Sequence, residues 1–358
     1  MNWPLGRPSL TKISMSDGLT AKAPAVTPAP IRRRSPRYTR VADVVNIRLT
    51  EDDIGILRAV HSHRFLRSTH IERLFPWRQS KKNLQHRLFA LFHNGYLDRK
   101  KEEVPAGVNP PMIYALADRG AEVLDVQRSG VNWQDKNKSY GNRQLKHAML
   151  VTDVRVALAW HCYVNNVRLV EPEDILNEAP EATRELARPF QWRISASRPG
   201  KGTVHETVRP DYIFGLEFPY HPSQAGIKRH FMLEADRGTE PQRRTEPKGP
   251  YTYRRLESIA DKLFLYDQSL TSWREGREVK PYGFTNFYVL VVTDRGPRRV
   301  ANMVAESKRM SGGVGVFSHW FADIATLDEH GFATAPWLNG KGETTRIADV
   351  LVRRPKVA

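Results

Sequence analysis

The chain has 358 residues, 40% of them hydrophobic, and a formal net charge of +17. This length suits about two domains, and the excess of Lys and Arg points to a polyanionic partner, nucleic acid before a membrane surface. No stretch reaches the ~20 apolar residues of a membrane span and no apolar signal core follows Met1, so membrane insertion is not expected. Cys162 is the single cysteine, which excludes an intrachain disulfide and a multi-cysteine zinc site and makes a reducing, cytoplasmic setting the default.

Residues 1–45 read as a disordered basic tail rich in Pro, Ser, Ala and Thr, with Arg32, Arg33, Arg34, Arg37 and Arg40 near its end. Such an arm is solvated and has affinity for phosphate. From Leu49 a compact pattern begins and defines a domain over 46–126. Thr50 with Asp53 is a helix-start signature, and Ile54, Leu57, Ala59 and Val60 then fall at helical spacing. Ser68-Thr69 starts a second helix that stops before Pro76. Ser80 starts a third, with Leu84, Leu88, Leu91 and Phe92 as its buried stripe.

Around the start of that third helix lie Arg78, Gln79, Lys81, Lys82, Asn83, Gln85, His86 and Arg87. Gly95 ends the helix, and two strands, Tyr96–Lys100 and Met112–Leu116, flank a Pro/Gly/Asn loop. Three helices followed by a two-stranded wing is the winged-helix order. The amide and guanidinium groups of the third helix are those that read base edges in a major groove. The bland alternatives are a solvated helix face or a protein-contact module. Residues 127–141 read as a breaker-rich linker.

Asn142–Cys162 reads as a long helix with two apolar stripes, expected to be buried on two sides, with His147 beside one of them. A lone His there is more often packed than ligating. Val167–Val170 reads as a strand, followed by an acidic segment. Two strands, Arg209–Phe218 and Phe231–Glu240, then precede a helix over Tyr251–Leu270 that carries Lys262 and Tyr266 on a common side. Phe287–Thr293 reads as a strand covered on both faces, Pro297 opens a helix, and Val314–Phe321 reads as a last strand. The expected fold is α+β overall, an N-terminal winged helix followed by a mixed-sheet α/β domain over 142–335, with 336–358 as a tail.

The chemistry concentrates in the two carboxylate strands. Side chains alternate along a strand, so Glu234 and Asp236 share a face, and pairing as a hairpin would bring Asp211 to the same end of the sheet. Three converging carboxylates repel one another unless a cation such as Mg2+ or Mn2+ neutralises them. Tyr266 is read as a half-buried packing residue, since tyrosines at helix margins usually are. No Walker loop, dinucleotide glycine fingerprint, paired-histidine zinc motif or nucleophile elbow is present.

Pro210-Asp211, then about twenty residues, then Glu234-Ala235-Asp236 resembles the PD-(D/E)xK, restriction-endonuclease-like superfamily. The resemblance implies metal ligation by the acids and a lysine two residues after the Glu. Here that place holds Asp236, and Lys262 is placed to supply the lysine from a neighbouring helix. A closer resemblance covers both halves. The winged helix, the helix around His147, Pro-Asp-x-x-Phe, Leu-Glu-Ala-Asp-Arg-Gly-Thr-Glu, Lys-x-x-x-Tyr and a late strand ending Val-Thr-Asp-Arg look like the replication-relaxation family, which overlaps the MobC-type plasmid relaxases.

By that resemblance the chain is a mobile-element DNA-processing protein acting on duplex DNA at an origin, beside relaxosome or replication proteins, and homodimerisation is open to it. The implied mechanism is metal-dependent phosphodiester nicking. Asp211, Glu234 and Asp236 are the implied ligands, Lys262 stabilises phosphorane charge, Arg237 and Glu240 are accessory, and Tyr266 is a further candidate because other relaxases use a tyrosine nucleophile. Two alternatives stay open: a catalytically inactive replication or transfer regulator whose acids pair with Arg209, Arg237, Arg243 and Arg244, and a relaxosome adaptor.

Overall fold

The computed structural model describes residues 36–41, 46–78, 80–126, 133–198, 202–217, 228–238 and 258–352. The Thr50 hydroxyl caps α1 (Glu51–His63) by accepting from the Asp53 amide, and the Asp53 carboxylate accepts from the Thr50 amide at 2.7 Å, the reciprocal box its spacing predicts. Ile56, Leu57, Ala59 and Val60 face inward. Ile54 is only half-buried, because the helix is turned so that Asp53 lies inside against Arg87.

A two-residue strand, β1 (Leu66–Arg67), too short to leave a periodic trace, precedes α2 (Ser68–Leu74). Ser80 caps α3 (Lys81–His93), its hydroxyl accepting from the Asn83 amide at 3.2 Å. Gly95, at φ +79°, turns the chain toward β2 (Leu97–Lys100) and β3 (Ile113–Leu116). The three strands pair antiparallel in the order β1-β3-β2. These helices and strands form an N-terminal module whose element order is the one expected of a winged helix, and α4 (Asp118–Val123) follows it.

Within the stretch that reads as a linker, residues 133–139 form a packed helix, α5 (Trp133–Ser139). Its Asn137 amide donates to Asp98 Oδ2 at 2.9 Å and to the Leu116 carbonyl at 2.8 Å. The polarity that resembles a linker there is spent on the wing sheet. α6 (Asn142–Asn165) is buried on two sides, as its two stripes predict. Leu145 and Met149 pack on Phe65, Ile113 and Ala115 of the N-terminal module, while Val154 and Leu158 belong to the core under the main sheet.

β4 (Arg168–Val170) leads through two short helices in the acidic segment, α7 (Pro172–Glu178) and α8 (Glu181–Arg184), into a hairpin that the sequence reading leaves unassigned, β5 (Trp192–Arg198) and β6 (Gly202–Val208). Then follow β7 (Tyr212–Glu217), β8 (Lys228–Asp236), α9 (Ile259–Arg274), β9 (Tyr288–Thr293), α10 (Pro297–Met310) and β10 (His319–Asp323). The chain continues with α11 (Ile324–His330), β11 (Trp337–Asn339), β12 (Thr344–Thr345) and α12 (Ile347–Val352).

The main sheet has the order β4-β7-β8-β9-β10-β11-β12. The pairs β8–β9 and β9–β10 are parallel, joined by crossovers carrying α9 and α10, as parallel pairing requires; the others are antiparallel. One face packs on α6 and α11, the other on α9, α10 and the β5–β6 hairpin. The fold is thus a mixed α/β assembly, α+β overall.

Two differences from the sequence reading concern the C-terminal third. The last strand expected from Val314 begins at His319, because Gly312, Gly313 and Gly315 take positive φ and make a turn. The expected tail from 336 contributes β11 to the sheet, with Trp337 fully buried.

Candidate functional site

β7 begins at Tyr212, opposite Leu233, so the ladder to β8 stops just before Glu234. Asp211 occupies the place where the next ladder rung would lie. Its amide donates to the Leu233 carbonyl at 3.0 Å, and its Oδ2 accepts from the Ala235 amide at 2.8 Å. That side chain replaces a missing backbone partner. Its other oxygen, Oδ1, lies 3.0 Å from His147 Nε2 on α6.

From the opposite face of the sheet, α9 reaches Glu234. Lys262 Nζ donates to Oε2 at 2.9 Å, and the Tyr266 hydroxyl donates to Oε1 at 2.5 Å. The residues are one turn apart, as the helix spacing predicts. Tyr266, however, is fully buried rather than half-buried at a margin, because its hydroxyl has a carboxylate to meet. The group therefore draws on both helical layers at one end of the β7–β8 ladder. A small cleft opens there, lined by Thr207, Val208, Arg209, Glu234, Lys262 and Tyr266.

The electrostatics are uneven. Burial pushes the Glu234 carboxyl up to about 7 against the pull of Lys262, and the charge of Asp211 adds to the rise. Burial would also raise Asp211, but the hydrogen bond and charge of His147, with Lys262 and the Ala235 amide, hold it below the usual carboxylate range. The hydrogen bond to Asp211 raises His147 despite burial. Burial, then the Glu234 charge, lifts the Tyr266 phenol well above its usual value.

Asp236 lies on the same face as Glu234, as alternation predicts, but under a different helix. Arg299 of α10 grips it bidentately, Nε to Oδ2 at 2.7 Å and Nη2 to Oδ1 at 2.9 Å. The Thr293 hydroxyl and the Gly238 amide donate to it as well, and its side chain has no exposed area. Nothing near Asp236 in sequence announces Arg299, 63 residues on. Arg237 pairs with Asp294 at 3.1 Å. Glu240, Arg243 and Arg244 lie outside the described residues. Among the described residues, no group of three or more His, Cys, Asp or Glu is arranged to hold a metal ion.

The sequence model of the replication-relaxation family matches residues 57–262, more than half of the chain. The chain belongs to the replication-relaxation family. No curated protein and no solved structure matches it. The matched span runs from α1 of the N-terminal module through Asp211, Glu234 and Lys262, so in this family member the two halves are covered together and only Tyr266 of the group falls just beyond it.

The residues around α3 divide by what they already hold. Arg87 Nε donates to Asp53 Oδ1 at 2.7 Å, where the carboxylate is wholly buried, and Arg78 pairs with Asp52 at 2.8 Å. Lys81 pairs with Glu72 at 2.8 Å. Lys82, Asn83, Gln85 and His86 stand exposed on one surface of the helix, and Gln79 lies outside the described residues. Among the described residues no helix is long and apolar enough to cross a membrane.

Proposed function

We propose that this replication-related protein processes the DNA of a mobile element, gripping duplex DNA through α3 and the wing and nicking it by metal-dependent phosphodiester cleavage. The observation that carries the proposal is Glu234 paired with Lys262 in a cleft, with the Asp211 carboxylate, just before β7, close enough to act on its charge. The charge of +17 supports a polyanionic substrate.

Asp211 and Glu234 are the residues that would hold a small hard dication, each giving up a hydrogen bond within the chain to do so. Mg2+ and Mn2+ are held by one or two carboxylates with waters and substrate phosphates completing the shell, and Asp211 with Glu234 form such a pair. Asp236 is committed to Arg299 and serves the architecture beside them. When bound, the ion would polarise the scissile phosphate and lower the pKa of water at the site. The chain's own residues do the rest. His147 and the Ala235 amide orient Asp211, Tyr266 orients Glu234, and the Lys262 ammonium faces the charge that grows on phosphorus.

A second reading has a specific observation in its favour: both oxygens of Glu234 are already hydrogen-bonded within the chain. In that reading the group is structural and the protein is a DNA-binding regulator or relaxosome adaptor. The deciding experiment incubates the protein with supercoiled plasmid carrying its own element's origin, with Mg2+ or Mn2+. Nicking that Glu234→Gln and Asp211→Asn abolish supports the nuclease. Binding without nicking in either ion overturns it and leaves the regulator.

A further inference from the structure

The cations around the candidate site are nearly all spent. Lys262 is paired with Glu234, Arg299 with Asp236, Arg237 with Asp294, and His147 with Asp211. A phosphodiester entering the cleft brings negative charge toward two carboxylates, and a dication offsets only part of that repulsion. Arg209 is the exception. It is exposed, lines the same cleft as Glu234 and Lys262, and its guanidinium makes no ion pair or hydrogen bond among the described residues.

Its backbone is held on both sides. Val208 and Pro210 are buried, so the chain between them alternates and turns Arg209 outward. Val208 pairs with Trp192, whose indole nitrogen donates to Ser269 on α9 at 2.9 Å. Two residues later comes Asp211, pinned to β8 by its own hydrogen bonds. The root of Arg209 is therefore tied to the same strands and helix that place Glu234 and Lys262, while its tip remains open to a ligand. An unspent guanidinium on a fixed root matches the non-bridging oxygens of a phosphate, which it can take bidentately.

Resting on the nuclease reading above, we infer that Arg209 is the substrate clamp of the site, gripping the non-bridging oxygens of the phosphodiester to be cut. The residue adds neither a metal ligand nor a proton carrier. It fixes the phosphate against the Asp211–Glu234 pair, a task that a lysine's point charge fulfils only in part.

The test uses the full chain, first in EDTA so that no cleavage occurs. Affinity for a fluorescein-labelled duplex is followed by anisotropy as salt is raised, for wild type, Arg209→Gln, Arg209→Lys and a control, Lys341→Gln, an exposed cation at the far edge of the sheet. Each phosphate contact contributes about 0.9 to the slope of log affinity against log salt. Arg209→Gln is expected to lower that slope by about one, with Lys341→Gln and Arg209→Lys at the wild-type slope. An unchanged slope in Arg209→Gln, with its thermal melt also unchanged, overturns the clamp.

Plasmid nicking in Mg2+ is measured on the same proteins, and Arg209→Lys is expected to lose roughly tenfold or more in rate because it lacks the fork. Equal nicking by Arg209→Lys and wild type overturns the bidentate grip. A wild type that binds but never nicks, while Arg209→Gln still loses slope, defeats the nuclease reading and leaves the phosphate contact standing.

Discussion

Glu234 and Asp236 are two residues apart on one strand, face the same way and are both nearly removed from water, yet they live in opposite circumstances. Asp236 is closed: a bidentate arginine, a hydroxyl and an amide fill its oxygens. Glu234 is held by one ammonium and one phenol, stands beside a second carboxylate, borders a cleft, and is pushed up to about 7. The alternation of a strand sets which acids share a face; the helix above each acid decides its use. Under α10 the acid becomes part of the frame. Under α9 it keeps an energetic tension that a cation or a proton would relieve.

The contrast is broken most violently at Asp236. Asp236→Ala leaves the largely buried Arg299 guanidinium without its partner and is expected to cost about 3–5 kcal/mol, read as a large drop in the urea midpoint. If the variant melts like wild type, the closed pair is not structural.

Glu234→Gln should do the reverse, leaving the fold standing while nicking falls on the order of 10²-fold or more. It also removes a pH dependence whose sign is fixed. The folded state holds the Glu234 proton up to about 7, whereas the unfolded chain releases it near its ordinary 4.5. Stability contributed by that group is therefore complete below about 4.5 and is lost as pH rises through about 7. Urea midpoints at pH 5 and pH 8 should favour wild type over Glu234→Gln more at the lower pH. At pH 8, added Mg2+ should raise the wild-type midpoint and leave that of the variant unmoved.

The same contrast recurs in the N-terminal module. Arg87→Ala strands the buried Asp53 carboxylate and should cost about 2 kcal/mol of stability. Lys82→Ala should leave the melt unchanged and lower the salt slope of DNA binding by about one. If Lys82→Ala leaves DNA binding untouched, the exposed face of α3 is not the DNA-reading surface. The smallest effect is expected at Tyr266→Phe. One hydrogen bond to Glu234 disappears for about 1 kcal/mol, and nicking slows less than in Glu234→Gln, because Lys262 still holds the other oxygen.

Much of this was readable from local signals. Capping residues such as Thr50 and Ser80 act within one turn, and the apolar stripes of α6 repeat over 24 residues, so both survive inspection of the sequence alone. Strand alternation puts Glu234 and Asp236 on one face and helix spacing puts Lys262 and Tyr266 on a common side, because both are short-range rules. That Lys262 meets Glu234 is an expectation carried by the family resemblance, and Asp236 turns to Arg299 instead. What escaped depended on distant partners. Arg299 closes on Asp236 across 63 residues. Asn137 looks like linker polarity until Asp98 and Leu116 are beside it. In the β5–β6 hairpin Trp192, Ile194 and Ala196 do alternate with exposed Arg193 and Ser195, but β6 carries no such alternation, and only the pairing of the two strands makes the first one legible. Tyr266 looked marginal because only the fold brings a buried carboxylate to its hydroxyl.

The long helix α6 belongs to both halves at once, with Leu145 and Met149 packed on the N-terminal module and His147 between them in sequence, reaching Asp211. A rigid rod shared in this way acts as a ruler. On the proposed function, the offset between the DNA that is gripped and the DNA that is cut would be fixed by this one helix. Its contacts with the N-terminal module (Met149, Thr152, Val156) interleave with those to the sheet (Leu150, Val154, Leu158). A residue inserted after Met149 would therefore rotate everything beyond it by about 100° and disturb both sets at once.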